Sequence, residues 1–554
     1  MATTQMEAMP REFNLTAPAT MPQARTYMFK RQSDLQTYDL TKGNRIRVNI
    51  PRLQRTYLNK GSYLRFRVNL DIGATTNKGI CFDRCGAYGL FDRMEVYDYL
   101  GGTLIEQVQN IPALTVLLND INSGFTDMNG KRQSTEGFSG AGVHVVSPPV
   151  TQPLDSPVEV CTGQVGAFVF NKTDGVAITA GNGQFVTKEY TIHLPSFLDM
   201  FSDKYVPLHN GFSIDLYLNS PEQAFVSRLT SYINGTGAAQ SKAGEGVLVL
   251  ENAWLSNVEL CCQVTELGDY AERLMLSTSD PWVIHSKFYR YFSDMITAKS
   301  EDGNTALTGQ DVSVSQSSFR LDLNLNVVSL CNILFGMRPR FYQNKIQFPS
   351  YGHRIRNYLE NFNFQYGSSY LPEIAGVQSR AVTVPSSLKN YPSTNPADSS
   401  TYPTGVSPLA DTFCQALEEL AKTSTRMNPS IEPEEFRVDS GSGQYGNSSN
   451  ARLDQYVPYR WDGNTRCGKF AGGLNVQLSK RGAVCGLDTN GLSLSINGTF
   501  NADAASATPP GLTDNTVAIP ATTTGPMVYA ILDCWAEHDA FVQVIPGVAT
   551  TVTF

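Results

Sequence analysis

Leu64-Arg-Phe-Arg-Val-Asn-Leu-Asp-Ile72 alternates apolar and polar side chains without interruption. A β-strand points successive side chains to opposite faces, so Leu64, Phe66, Val68, Leu70 and Ile72 share a packing face. Arg65, Arg67, Asn69 and Asp71 stay on the polar one. The same period recurs at Ile46, Val48, Ile50 and at Phe212, Ile214, Leu216, Leu218. It returns at Phe319, Leu321, Leu323, Leu325, Val327, then at Leu474, Val476, Leu478 and at Leu492, Leu494, Ile496. Sheets with one buried face are usually antiparallel, and many such strands with long irregular connections indicate sandwiches. The expectation is an all-β chain with few, short helices.

Composition agrees with the pattern. Charged residues make up 17% of the 554, below the roughly 25% of typical soluble domains, while 45 Gly and 29 Pro accompany 25 Tyr and 28 Phe. That mixture favours strands, turns and loops over helices. A hydrophobic share of 41% excludes global disorder. The length fits two large β domains as well as three or four average ones. Met1 to Pro22 lacks the apolar core of a signal peptide, and no run reaches the ~18 apolar residues of a membrane span. Ten cysteines are too sparse for a disulfide scaffold. A chain that is neither secreted nor membrane-spanning is expected, on which the sequons at Asn14, Asn171, Asn234, Asn447 and Asn497 carry no meaning.

The order of elements repeats. Phe91 to Tyr99 reads as a strand followed by a helix at Ile111 to Ile121. In the second half, Tyr358 to Tyr366 precedes a Pro/Ser-rich loop and a helix at Asp411 to Ala421, with Phe413, Leu417 and Leu420 on one face. Each half closes on strands, Val247 to Val264 and Met527 to Val544, and Glu266 to Met275 reads as a short helix linking the halves. Two similar domains follow, 26–275 and 276–554, behind an N-terminal arm at 1–25. Long polar loops fall at 123–186, 221–246, 298–316, 372–410, 436–467 and 501–526, and loops of such length are usually functional.

No motif carries chemistry. Gly441, Gly443 and Gly446 match Gly-x-Gly-x-x-Gly but lack the preceding buried strand and following helix of a dinucleotide site. Gly463 to Lys469 matches a Walker A loop until Phe470, which cannot ligate magnesium. Cys81 with Cys85, and Cys261 with Cys262, lack the paired spacings of a zinc site, and the six histidines (144, 193, 209, 285, 353 and 538) are scattered. Cys534 and His538 fall on one strand face about 13 Å apart, which fits core residues better than a catalytic pair. The acid pairs Glu418-Glu419 and Glu434-Glu435 read as a solvated helix face and a loop. No catalytic, cofactor or metal residue is assigned, and the expectation is a protein that is not an enzyme.

Charge is unevenly spread. Arg25 to Arg67 holds eleven basic and two acidic residues, so this stretch carries +9 of a total of −8 and leaves −17 on the rest. Arg45, Arg47, Arg65 and Arg67 occupy polar positions of two neighbouring strands. On a shared sheet they form one basic patch facing an acidic subunit, nucleic acid or an anionic membrane; otherwise they are a solvated face paired with acids.

The first half runs through Phe91-Asp-Arg-Met-Glu-Val96, Leu104-Ile-Glu106, Tyr190-Thr-Ile-His-Leu-Pro195, Asp203-Lys-Tyr-Val-Pro-Leu208 and Phe212 to Leu218. The second runs through Asn361-Phe-Asn-Phe-Gln-Tyr-Gly367, Gly486-Leu-Asp-Thr-Asn-Gly491 and Asp533-Cys-Trp-Ala-Glu-His-Asp-Ala-Phe541. This order of segments resembles the double jelly-roll major capsid proteins of double-stranded DNA viruses, especially the virophage, Polinton and polinton-like group. It covers about 30–554, and 375–470 departs from the pattern. The resemblance implies two consecutive eight-stranded jelly rolls per chain and three chains per pseudo-hexameric capsomer of an icosahedral shell. It implies location in the virion, assembled inside the host cell. The implied partners are other copies, minor capsid and penton proteins, and the genome or an internal membrane on the inner face. It also places the four arginines at the interior or a seam between capsomers, the loops at 123–186, 221–246 and 372–410 in an outward tower, and 1–25 in an arm clasping neighbours. The competing reading is a carbohydrate-binding or glycan-cleaving β-sandwich, an adhesin or tail-associated lectin, which needs exposed aromatics along a groove or two facing carboxylates.

Overall fold

The computed structural model describes residues 24–122, 184–226, 250–268, 282–297, 318–339, 350–378, 471–500 and 529–554, with short gaps, and small pieces at 135–137, 167–169, 232–233, 239–240, 343 and 418–423. Sixteen strands carry the architecture. In the first half they are β1 (Ala24–Gln32), β2 (Arg45–Ile50), β3 (Tyr63–Ile72), β4 (Phe91–Asp98), β5 (Leu104–Gln109), β6 (Gln184–His193), β7 (Phe212–Leu218) and β8 (Leu250–Leu267). In the second they are β9 (Trp282–Thr297), β10 (Ser318–Leu323), β11 (Leu330–Pro339), β12 (Leu359–Tyr366), β13 (Ser369–Leu371), β14 (Gly472–Asn475), β15 (Leu494–Phe500) and β16 (Tyr529–Val544).

The first half forms one sheet in the order β1-β8-β3-β6 and another in the order β2-β7-β4-β5; the second forms β9-β16-β11-β14 and β10-β15-β12-β13. Adding eight to each strand number turns the first pair of sheets into the second. All these pairings are antiparallel. Each half is therefore an eight-stranded jelly roll, and the repeat expected from element order is a repeat of topology.

The alternation explains the cores. Leu64, Phe66, Val68 and Leu70 of β3 are buried against Phe91, Met94 and Val96 of β4 from the facing sheet. Phe66 meets Phe91 edge-on at 5.5 Å between ring centres. The second jelly roll repeats the device at the equivalent strands, where Phe335 of β11 packs on Phe362 and Phe364 of β12 at 5.1 and 6.0 Å. Such edge-to-face pairs contribute about 0.5–1.5 kcal/mol beyond burial. Helix α1 (Ile111–Asn122) buries Ile111, Leu114, Leu117 and Ile121 on the first core, at the place expected.

Three expectations need correction. Glu266 and Leu267 end β8 rather than opening a linking helix, because Thr265 and Glu266 pair with Tyr57 and Thr56 on one side and with Thr26 and Arg25 on the other. Two-sided ladder bonding outweighs weak helix propensity; the rest of that segment, to Met275, lies outside the described residues. The run Leu474 to Leu478 leaves its strand at Asn475 and exposes Leu478. Ladder pairing of Phe319 to Val327 stops at Leu323, although Leu325 and Val327 stay buried. Of the helix at 411–421, residues 418–422 are described and helical. Most of the long loops, and the arm up to residue 23, lie outside the described residues.

Gly486 sets a tight crossing: a Cβ there would lie 2.1 Å from Leu330 O, a backbone atom of β11. Gly486→Ala must push the two backbones apart, with an expected loss of about 1–3 kcal/mol in urea unfolding. A change within error means that this approach is not constrained.

Candidate functional site

The two jelly rolls meet along a polar junction. On β9 and β16 one face packs Ile284, Phe288, Leu532, Cys534 and Val542 into the core, while the other carries Tyr289, Tyr291, Asp533, Trp535 and Glu537, with Tyr289 opposite Glu537 and Tyr291 opposite Trp535. This second face turns toward the first half. Trp535 Nε1 donates to Gln109 O at 3.3 Å, and Lys287 N donates to Asp199 Oδ2 at 2.7 Å.

Asp533 is the centre. It accepts from Tyr291 Oη at 2.6 Å, from Asn110 Nδ2 of the first half at 3.0 Å and from both Nε and Nη2 of Arg338. Arg338 also donates to Ser350 O at 3.0 Å and lies 4.9 Å from the Tyr351 ring centre. Both charged groups are buried. Burial alone would pull the Arg338 guanidinium down, and the Asp533 carboxylate outweighs it and holds it above its ordinary value. Asn110 sits at φ 52°, a left-handed conformation that Asn tolerates, between β5 and α1.

Two flanking contacts extend the junction. Asp83, fully buried in the first half, accepts from Tyr351 N and Gly352 N at 2.7 and 2.8 Å, and Asp120 pairs with Arg354 at 2.6 Å. At the other end, Asn210 Nδ2 donates to Val548 O at 2.7 Å, Gly547 N donates back to Asn210 Oδ1, and Thr550 N donates to Asp98 Oδ2. The sequence reading missed these residues. Each is a single polar residue between periodic segments, and its partner lies hundreds of positions away; the signal that could have found Arg338 is a cation closing the apolar run from Leu330 to Met337.

The four candidate arginines do not share a sheet. Arg45 and Arg47 lie on β2, and Arg65 and Arg67 lie on β3, in opposite sheets of the first jelly roll. Arg47 grips Asp215 of β7 with two 2.7 Å bonds and Arg45 adds a third contact at 3.3 Å, over a carboxylate only 1% exposed. The Asp215 bond raises the Arg47 guanidinium above its ordinary value. Arg65 and Arg67 share Glu189 of β6 at 2.7 and 3.3 Å. The single patch thus resolves into two arginine pairs, each on one acid and each retaining one net positive charge.

Cys534 and His538 both point into the second core. Asp539 accepts from Ser329 Oγ at 2.5 Å and lies 2.7 Å from His285 Nε2. The carboxylate stands between hydroxyl and imidazole and also accepts from Val484 N at 3.1 Å. The glycine motifs at 441–446 and 463–469, with Glu434, Glu435, His144 and His353, lie outside the described residues.

Two predictions follow from these contacts. Asp533→Asn leaves Arg338 buried without its charge partner and is expected to cost about 3–5 kcal/mol in urea unfolding. Asp533→Leu combined with Arg338→Met should recover most of that loss, and a double variant as damaged as the single one contradicts the assignment. The second concerns pH. Burial lowers the His538 imidazole below its ordinary value. Burial would raise Asp539, but bonds from Ser329 and His285 outweigh it and lower its carboxyl. For both groups the unfolded chain binds the proton more readily, so stability falls as pH falls, first below about 6.5 for the histidine and then below about 4 for the acid. His538→Gln should flatten the first part of a melting-temperature profile against pH; an unaltered slope there rules the histidine out.

No protein-family model matches the chain, and no curated protein matches it. Among solved structures, a chain of the Sputnik virophage, determined by cryo-EM, matches over 99% of this chain and 92% of its own, with a TM-score of 0.51 at 10% identity. The mavirus major capsid protein matches over 100% and 96%, with a TM-score of 0.49 at 10% identity. The PBCV-1 virus capsid matches over 98% and 99%, with a TM-score of 0.45 at 12% identity. The glycan-binding alternative finds no support among them. With its two eight-stranded sandwiches in identical strand order, the chain has the double jelly-roll fold, shared over nearly its whole length with the Sputnik virophage chain.

Proposed function

We propose that this protein is a structural major capsid protein that acts by self-association and builds an icosahedral virus shell. One observation carries the reading: two topologically identical jelly rolls are fixed side by side by a buried polar junction, in a fold shared with a virophage chain. Two equivalent sandwiches per chain let three copies present six similar corners, and such a unit tiles a shell as a hexamer would. The residue-level resemblance in both halves supports the same reading. The domains are 26–275 and 276–554, with the division between β8 and β9, and 1–25, whose last two residues already open β1, serves as an arm to neighbouring units. Location in the virion follows, with minor capsid and penton proteins as further partners and the genome or an internal membrane beneath. Among the described residues, no helix is long and apolar enough to cross a membrane.

The test is the native mass of the purified protein by light scattering, with negative-stain images of the same peak. The expected result is a stable unit near three times 60.8 kDa, six-cornered in projection. A monomer that persists at high concentration overturns the reading.

The arginine pairs at Arg45, Arg47 and at Arg65, Arg67 are proposed to face the particle interior or a seam between units. Changing all four to Ser should leave the three-chain unit folded, lower particle yield and alter its salt dependence. Unchanged yield and salt response make both pairs ordinary solvated ion pairs.

A further inference from the structure

The junction within the chain uses each jelly roll once, and each roll also carries the surface that the other one uses. The first roll contributes the ends of β4 and β5 and the β6–β7 connection. Asp98 accepts from Thr550 N at 3.1 Å, Gln109 O from Trp535 Nε1 at 3.3 Å and Asp199 from Lys287 N at 2.7 Å. The second roll contributes the outer face of β9 and β16. Since the rolls share one strand order, the second repeats the first contribution in its β12–β13 corner and β14–β15 connection. The first repeats the other in the outer face of β1 and β8. Both counterparts carry exposed side chains. On β1, Thr26, Met28, Lys30 and Gln32 are exposed, with Met28 opposite Gln263 and Lys30 opposite Cys261. At the corner, Tyr370 and Leu492 are 41% and 49% exposed. Exposed Asp488 is tied to the same corner, because Tyr366 of β12 donates to its carbonyl.

We propose that these two surfaces bind each other between copies. The β12–β13 corner and β14–β15 connection of one chain pack on the outer face of β1 and β8 of the next, repeating between chains the junction found within one. The contact is head-to-tail: each chain offers one surface and receives on the other, and a ring of three chains sets six rolls in a circle. The proposal rests on the shell reading, which supplies the number three, and adds which surfaces meet. Charge favours it. β1 carries Arg25, Lys30 and Arg31 and no acid, so a second β1 is repelled. Glu259 of β8 reaches Lys30 only at 3.8 Å and leaves it 49% exposed. The stretches 359–371 and 484–493 hold Glu360 and Asp488 and no Lys or Arg. Asp488 also stands in the β14–β15 connection as Asp199 stands in the β6–β7 connection, with Oδ1 accepting from Asn490 N at 2.9 Å. Asp199 caps an amide on the free edge of β9. β1 offers such amides too: Ser33 N donates to Val258 O, so by the two-residue period those of Met28 and Lys30 point away from β8.

The test introduces Lys30→Cys and Asp488→Cys together in the full-length chain, on a Cys485→Ser background, and treats the protein with a short bismaleimide. Both positions are exposed, so the variants are expected to fold. The expected result is covalent products of two and three chains, ending at three, while each single variant and the background chain stay single on a denaturing gel. Asp488→Lys in the natural background should weaken association of the copies roughly tenfold, the loss of one charge-assisted contact, and unchanged association contradicts the part given to this acid. A two-chain product from Lys30→Cys alone shows β1 meeting β1 and overturns the proposal. The double variant without covalent product, in a unit that light scattering finds to hold three copies, overturns this contact and leaves the shell reading standing. A single-chain mass for the wild-type protein at high concentration overturns both.

Discussion

A buried charge that cannot be left alone organises this molecule. Arg338 enters the space between the two jelly rolls, and its cost is offset only because Asp533 meets it and Tyr291 and Asn110 complete the carboxylate's hydrogen bonds. Asn110 belongs to the first half and the other three to the second, so the satisfied arrangement exists only when both halves are folded and placed. Apolar packing would tolerate sliding; a carboxylate with directional partners does not. Asp83 on the Tyr351 and Gly352 amides and Asn210 on the 545–548 turn fix the same relation at separate points.

That fixed relation gives the repeat its use. Strands β1–β8 and β9–β16 occupy equivalent places in equivalent sheets, and the same aromatic bridge joins the facing sheets of each half. Two such bodies joined side by side present similar surfaces, and the proposed six-cornered unit rests on that equivalence. Among the described residues, several charges of the outer faces are paired within the chain, as Asp215 and Glu189 show.

Much of the fold was legible because period-two alternation is a local signal. Leu64, Phe66, Val68 and Leu70 are buried as their pattern requires, although Asn69 on the polar side is buried too, and α1 stands at the expected place. Where the reading failed, the deciding contacts were not local: Thr265 and Glu266 are extended because strands flank both sides, and Leu474 to Leu478 leaves its ladder early. The arginines were correctly put on polar faces, but consecutive jelly-roll strands go to opposite sheets, so neighbours in sequence are separated in space. The junction was least legible, since Asn110 and Asp533 carry no pattern and lie 423 positions apart.

The central claim is that the two jelly rolls form one mechanical unit. Differential scanning calorimetry of the wild-type chain tests it most directly. The account requires one cooperative transition in which calorimetric and van't Hoff enthalpies agree. Two separated transitions, each with the enthalpy of about half the chain, would show that the jelly rolls fold independently and that the junction does not bind them into one body.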